Sequence, residues 1–109
     1  MGIGMIDWTR LDELSAEIGR EAIAEVVAMF LEEADEVVSR LPRDSTTMAR
    51  ASDLHFLKGA ALNLGFTYLA QMCDAGERAP AMADMTAIAE CYRQSRDLFQ
   101  SGLAANTAA

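Results

Sequence analysis

The chain contains few residues that interrupt helices and few that build disulfide or metal sites. Of its 109 residues, two are proline, two are cysteine and one is histidine. Alanine, leucine, methionine and glutamate, which have high helix propensities, are abundant. The composition therefore predicts an all-α fold, and the length predicts a single domain over residues 1–109 with one hydrophobic core.

Positive charge and long apolar runs are also scarce. Nine lysines and arginines stand against 17 aspartates and glutamates, which gives a net charge of -8. Such a surface repels the phosphates of nucleic acids and of anionic membranes. No apolar run approaches the roughly 20 residues of a membrane span, and the N-terminus lacks the pattern of a signal peptide. We therefore expect a cytoplasmic protein that binds neither nucleic acid nor membrane.

The two cysteines, Cys73 and Cys91, each lie within an apolar helical pattern. Neither has the Cys-x-x-Cys or Cys/His neighbourhood that is typical of zinc sites. We predict that both are small core residues without a redox role.

The spacing of apolar residues predicts one short helix and four longer ones. Asp7 is a candidate N-cap for the short helix, which we expect to pack across the end of a bundle. The longer helices are predicted from Arg20 to Pro42, from about Thr46 to Leu64, from Thr67 to Pro80, and from about Met82 to Leu103. Candidate boundary residues are Asp44 and Ser45 as caps of the second long helix, Gly65 at its end, and Thr67 as the next cap.

Four long helices with short connections predict an antiparallel up-and-down four-helix bundle with a short extra N-terminal helix. Its core would cover residues 6–103, and residues 104–109 would form a frayed tail.

The only histidine, His55, is predicted to lie on the surface of the second long helix. A helical wheel places the core-facing side chains on one arc, formed by Leu54, Leu57, Ala61, Leu64 and Tyr68. His55 lies well outside this arc. Exposed residues on the same outward side would form a docking surface for another protein, made of Met48, Ser52, Leu62 and Phe66.

The residues beside His55 suit phosphoryl chemistry. An exposed imidazole is largely neutral at pH 7, and one ring nitrogen then has a free lone pair that can act as a nucleophile. Lys58, one turn away, would offset the negative charge of a phosphoryl group. Gly59 costs about 1 kcal/mol relative to alanine in a helix. We expect it to leave room beside the imidazole, which a larger side chain would crowd.

Simpler interpretations of the same residues stay open. A lone surface histidine can be a solvated residue, and Lys58 a solvated charge. Gly59 can serve close helix packing, and the N-terminal helix can cover Leu62 and Phe66.

The stretch "HFLKGAALNLG" resembles the signature of histidine-containing phosphotransfer (Hpt) domains. That signature reads His-x-Leu-Lys-Gly, two small residues, two variable ones, and Leu-Gly. The matching positions are His55, Leu57, Lys58, Gly59, Ala60, Ala61, Leu64 and Gly65. Downstream, Leu69, Cys73 and Glu77 fall where the family commonly has leucine, cysteine and glutamate. The segments "IDWTRLDELSAEIG" and "MFLEEADEVVSRL" are similar to the usual opening, so the resemblance covers roughly residues 6–100.

The resemblance implies a four-helix bundle in which His55 accepts a phosphoryl group from a receiver-domain aspartate and passes it to another receiver. Lys58 would stabilise the phosphoryl group, and Gly59 would leave space beside the imidazole. The partners would be receiver domains of response regulators or hybrid sensor kinases. Mg²⁺ would bind in the partner's acidic pocket, and this chain would hold no metal or cofactor. We expect a stand-alone, monomeric carrier without catalytic turnover.

Two positions depart from the family pattern. Leu54 stands where a small residue commonly precedes the histidine, and Gly76 stands where leucine is usual. No residue in the sequence must orient the imidazole, so the reactive nitrogen stays open. The alternative function is a helical adaptor that docks a receiver or kinase through Leu62 and Phe66 without being phosphorylated. A purely structural bundle is a third possibility.

Overall fold

The computed structural model describes residues 5–108, with the side chains of residues 5–103. It contains five α-helices: α1 (Trp8–Ile18), α2 (Arg20–Arg40), α3 (Thr47–Leu64), α4 (Thr67–Arg78) and α5 (Met85–Ala108). Short 3-10 turns, Leu41–Arg43 and Pro80–Met82, follow α2 and α4. These residues form no strand, and one isolated bridge joins Ile6 to Phe66. The all-α prediction is confirmed.

Two of the predicted helix boundaries are confirmed. Asp7 caps α1, because its carboxylate accepts a hydrogen bond from the backbone N–H of Thr9 at 3.1 Å. Gly65 ends α3 in the left-handed region, with a φ of 79° that favours glycine. Both ends are therefore set by local side-chain and backbone chemistry.

The N-terminal caps predicted for α3 and α4 are wrong. Thr46, and neither Asp44 nor Ser45, caps α3 by accepting a hydrogen bond from the N–H of Ala49. Thr67 is the first residue of α4 and does not cap it, because Phe66 occupies the cap position.

The last helix begins later and extends further than predicted. Pro80–Met82 forms a 3-10 turn, and Asp84 then accepts a hydrogen bond from the N–H of Ala87 at the start of α5. At the other end, α5 includes residues 104–108, which the sequence suggested as a frayed tail. That residues 104–108 fray stays a prediction, and Ala109 lies outside the described residues.

The core lies between the apolar faces of α2, α3, α4 and α5. Phe66 packs at its centre. Its ring centroid lies 5.3 Å from that of Phe99 and 6.4 Å from that of Tyr92. Trp8 of α1 stacks on Phe99, with the two ring centroids 5.4 Å apart. The predicted burial of Cys73 and Cys91 is confirmed.

Helix α3 lies at the centre of these contacts. It packs most extensively against α4, and it also contacts α1 and α2. The segment before α1 is tied to the turn between α3 and α4, because the N–H of Asp7 donates to the carbonyl of Gly65 at 2.6 Å. The relative position of α3 and α4 is thus held by their own packing and by contacts with α1, α2 and the segment before α1. No helix in the described residues has the length and apolar character needed to cross a membrane.

Candidate functional site

His55 lies on the outer face of α3, where 71% of its side chain is exposed. Leu54 and Leu57, one residue before and two residues after it, are fully buried, so the helix anchors the histidine by its opposite face. This position confirms the predicted exposure and leaves the ring accessible to another protein.

Glu77 of α4 holds one side of the imidazole. Its Oε2 lies 2.7 Å from Nδ1 of His55. An ionised carboxylate only accepts hydrogen bonds, so Nδ1 carries the proton and donates it. In the neutral ring, Nε2 is then the nitrogen with the free lone pair. The hydrogen bond from His55, together with Lys58, lowers the pKa of Glu77 against the opposing effect of burial.

Lys58 reaches α4 and forms ion pairs with two carboxylates. Its Nζ lies 3.2 Å from Oδ1 of Asp74 and 3.3 Å from Oε1 of Glu77. The hydrogen bonds that Lys58 donates to Asp74 and then to Glu77 raise the pKa of Lys58, which keeps it charged. Arg78 binds the other oxygen of Asp74 at 2.7 Å. His55, Glu77, Lys58, Asp74 and Arg78 thus form one chain of contacts, which we call the α3–α4 ionic chain.

Gly59 opens onto free space on the same face. A Cβ atom built at this position would meet no atom within 4 Å beyond its own helix backbone and chain neighbours. This Cβ would not touch the imidazole of His55. The crowding of the ring that the sequence predicts for a larger side chain therefore does not arise for a methyl group. The open space is instead available to whatever approaches His55.

Three of the four predicted docking residues lie on the surface. Met48 is 81% and Leu62 57% exposed, and Ser52 is also exposed. Leu62 lines a shallow groove between α3 and α4 that also includes Lys58 and Asp74. Whether these residues dock a partner stays a prediction.

The prediction that Phe66 is part of this surface is wrong, because the residue is fully buried. The left-handed conformation of Gly65 breaks the helical phase, so Phe66 turns inward. The segment containing Ile6 then covers it. The predicted core position of Tyr68 is wrong for the same reason: it belongs to α4, and it is 54% exposed. Of the two docking residues that the adaptor hypothesis requires, Leu62 and Phe66, only Leu62 is exposed.

No cluster of three or more histidine, cysteine or acidic side chains suited to a metal ion occurs in the part of the chain that the structure describes. The expectation that the chain itself holds no metal or cofactor stays a prediction.

The Hpt domain model matches residues 25–107, which is most of the chain. The chain belongs to the Hpt domain family. The predicted resemblance is thereby confirmed, and membership supports a histidine-phosphotransfer role in a two-component phosphorelay. Hpt domains are phosphocarriers that interact with receiver domains. Comparison with curated proteins and with solved structures gives no match.

Sequence reasoning did not find the partners of His55 and Lys58 on α4. The family resemblance had singled out Glu77 as a matching position, but nothing in the sequence joined it to the imidazole. Asp74 had no such signal. Its role in the site follows only from the packing of α3 on α4.

Proposed function

We propose that this Hpt domain accepts a phosphoryl group on His55 from a receiver-domain aspartate and transfers it to another receiver. One observation carries the proposal. The only histidine of the chain is exposed, and its Nδ1 is held by Glu77, which leaves Nε2 as the ring nitrogen with the free lone pair. His55 lies within the residues that match the family.

We propose Nε2 as the phosphorylated atom. Its lone pair attacks phosphorus as the bond from phosphorus to the receiver carboxylate oxygen breaks, and that carboxylate leaves with the electron pair. The proton on Nδ1 stays hydrogen-bonded to Glu77, whose negative charge stabilises the positive charge that develops on the ring. Onward transfer is the reverse step with a second receiver aspartate.

Lys58 and Gly59 have supporting roles in this proposal. The ammonium group of Lys58 offsets the charge of the phosphoryl oxygens. Gly59 keeps the approach to His55 open, as the free space beside it supports. Mg²⁺ is supplied by the receiver's acidic pocket, so this chain acts as a carrier without turnover of its own.

The proposed docking surface surrounds His55 and consists of Met48, Ser52 and Leu62. We also propose that α2, α3, α4 and α5 form an antiparallel up-and-down four-helix bundle, with α1 packed across it, and that the protein is a monomer. The contacts of α2 with α3, α3 with α4, α4 with α5, and α2 with α5 support this arrangement.

The test is to incubate the protein with a phosphorylated receiver and Mg²⁺ and to map the phosphate that is stable in alkali and labile in acid. We expect label on His55 and none on the His55→Gln variant. Binding of several receivers without any label would contradict the carrier function and favour the adaptor.

A further inference from the structure

Lys58 does not stand free beside His55. Its Nζ is shared between Asp74 and Glu77, and only 26% of its side chain is exposed. The residue expected to stabilise a phosphoryl group on α3 is therefore engaged by α4 while the imidazole is unphosphorylated.

Both carboxylates keep another partner if Lys58 leaves them. Asp74 retains Arg78, which binds its Oδ2 at 2.7 Å, and Glu77 retains Nδ1 of His55 at 2.7 Å. Departure of Lys58 therefore leaves each carboxylate with one partner, and only the buried Oε1 of Glu77 loses its contact. Ion pairs between partly exposed side chains are also weak, because water and salt compete for both charges.

Lys58 is able to reach His55 from its position on α3. The two residues are three apart on the same helix, a spacing at which side chains are neighbours. The four-carbon stem of lysine is flexible, and its ammonium carries three donors. A phosphoryl group on Nε2 brings more negative charge than one carboxylate, and so attracts the ammonium more strongly.

We propose that Asp74 is a positioning residue that holds Lys58 on α4 in the resting protein, and that Lys58 moves to the phosphoryl group once His55 is phosphorylated. This inference rests on the proposed function of His55. Asp74 competes with the phosphoryl group for the same cation. Removing its charge therefore strengthens the contact of Lys58 with phosphohistidine.

The test uses protein phosphorylated directly on His55 with phosphoramidate, so that no receiver is needed. The measured quantity is the pKa of the phosphoryl group, followed by ³¹P NMR in four proteins: the unchanged chain, Asp74→Asn, Lys58→Met and the double variant. Asp12→Asn, an exposed site on α1, controls for the loss of one negative charge.

We expect Asp74→Asn to lower the phosphoryl pKa when Lys58 is present and to have less effect in the Lys58→Met background. The difference should correspond to at least about a twofold change in the ionisation constant, the scale of coupling between contacting charges. Asp12→Asn should change little.

An equal effect of Asp74→Asn in both backgrounds would overturn the proposal, because Asp74 would then act only as a nearby charge. Failure of receivers to transfer phosphate to His55 would overturn the proposed function instead. The chemical phosphorylation keeps the two results distinguishable.

Discussion

Leu54 of α3 fills the space that Gly76 of α4 leaves empty. Its Cδ1 lies 2.9 Å from the position that a Cβ on Gly76 would take, closer than real Cβ contacts come. These are the two positions at which the sequence departs from the Hpt pattern, with a large residue for a small one and a small residue for leucine. The two departures compensate each other, because the larger side chain on α3 occupies the space that the missing side chain on α4 leaves.

This exchange predicts that the two positions are coupled in stability. Leu54→Ala should cost about 2–5 kcal/mol because it leaves a cavity. Gly76→Leu alone should cost about 1–3 kcal/mol, because the added side chain meets Leu54 and also Ile88. The double variant should be more stable than the sum of the two losses predicts. Urea unfolding of all four proteins measures the coupling, and strictly additive losses would show that the positions are independent.

Gly65→Ala should destabilise the protein by about 2 kcal/mol or more. The backbone there is left-handed, which costs a non-glycine residue about 1–2 kcal/mol. An added Cβ would in addition collide with the backbone carbonyl oxygen of Asp7. Thermal or urea unfolding checks the loss, and a variant as stable as the original would contradict this account of the turn.

Gly59→Ala should have the opposite effect on stability. The position lies within α3 and a Cβ there meets nothing, so alanine should stabilise the protein by up to about 1 kcal/mol. Under the proposed function, a side chain at this site should nevertheless slow transfer from a phosphorylated receiver, because it narrows the approach to His55. The same unfolding assay, combined with a transfer time course, separates the two effects. Faster or unchanged transfer would remove the proposed role of Gly59.

Helices and the exposed histidine were predictable because both depend on local periodicity. Apolar spacing within one helix was enough to place Leu57 in the core and His55 outside it. Phe66 was placed wrongly because a helical wheel does not register the break at Gly65, nor the distant segment that covers the ring.

The site partners needed information that the helical wheel does not contain. His55 and Glu77 are 22 residues apart, and they meet only because α3 and α4 pack side by side. The same packing brings Asp74 to Lys58. Periodicity indicates which face of a helix is exposed, whereas a hydrogen bond between two helices depends on how they are aligned.

The buried thiols should be unreactive in the native protein. Burial raises the pKa of Cys73 to about 12 and also raises that of Cys91. At pH 8 an alkylating reagent should therefore label neither thiol until the chain unfolds. Because unfolded Cys73 ionises near pH 9.0 but folded Cys73 only near 12, this residue should lower stability as the pH rises through that window. Rapid labelling of native protein at pH 8 would contradict the burial.

The hydrogen bond between His55 and Glu77 should be visible in the ionisation of both side chains. Its loss in His55→Gln should raise the pKa of Glu77 towards the ordinary glutamate value, because the imidazole is the largest cause of the lowered pKa. A lowered folded-state pKa means that Glu77 contributes stability above its unfolded pKa, near 4.5. That contribution is lost as the pH falls through the lowered folded value. Carboxyl ¹³C NMR titration follows the pKa of Glu77 directly, and ¹⁵N NMR of neutral His55 should find the proton on Nδ1.

Glu77→Gln should preserve this tautomer of His55, since its amide oxygen still accepts a hydrogen bond, whereas Glu77→Ala should weaken the preference for it. A ring protonated on Nε2 in the unchanged protein would show that Glu77 does not orient the imidazole, and would remove the basis for assigning Nε2 as the nucleophile.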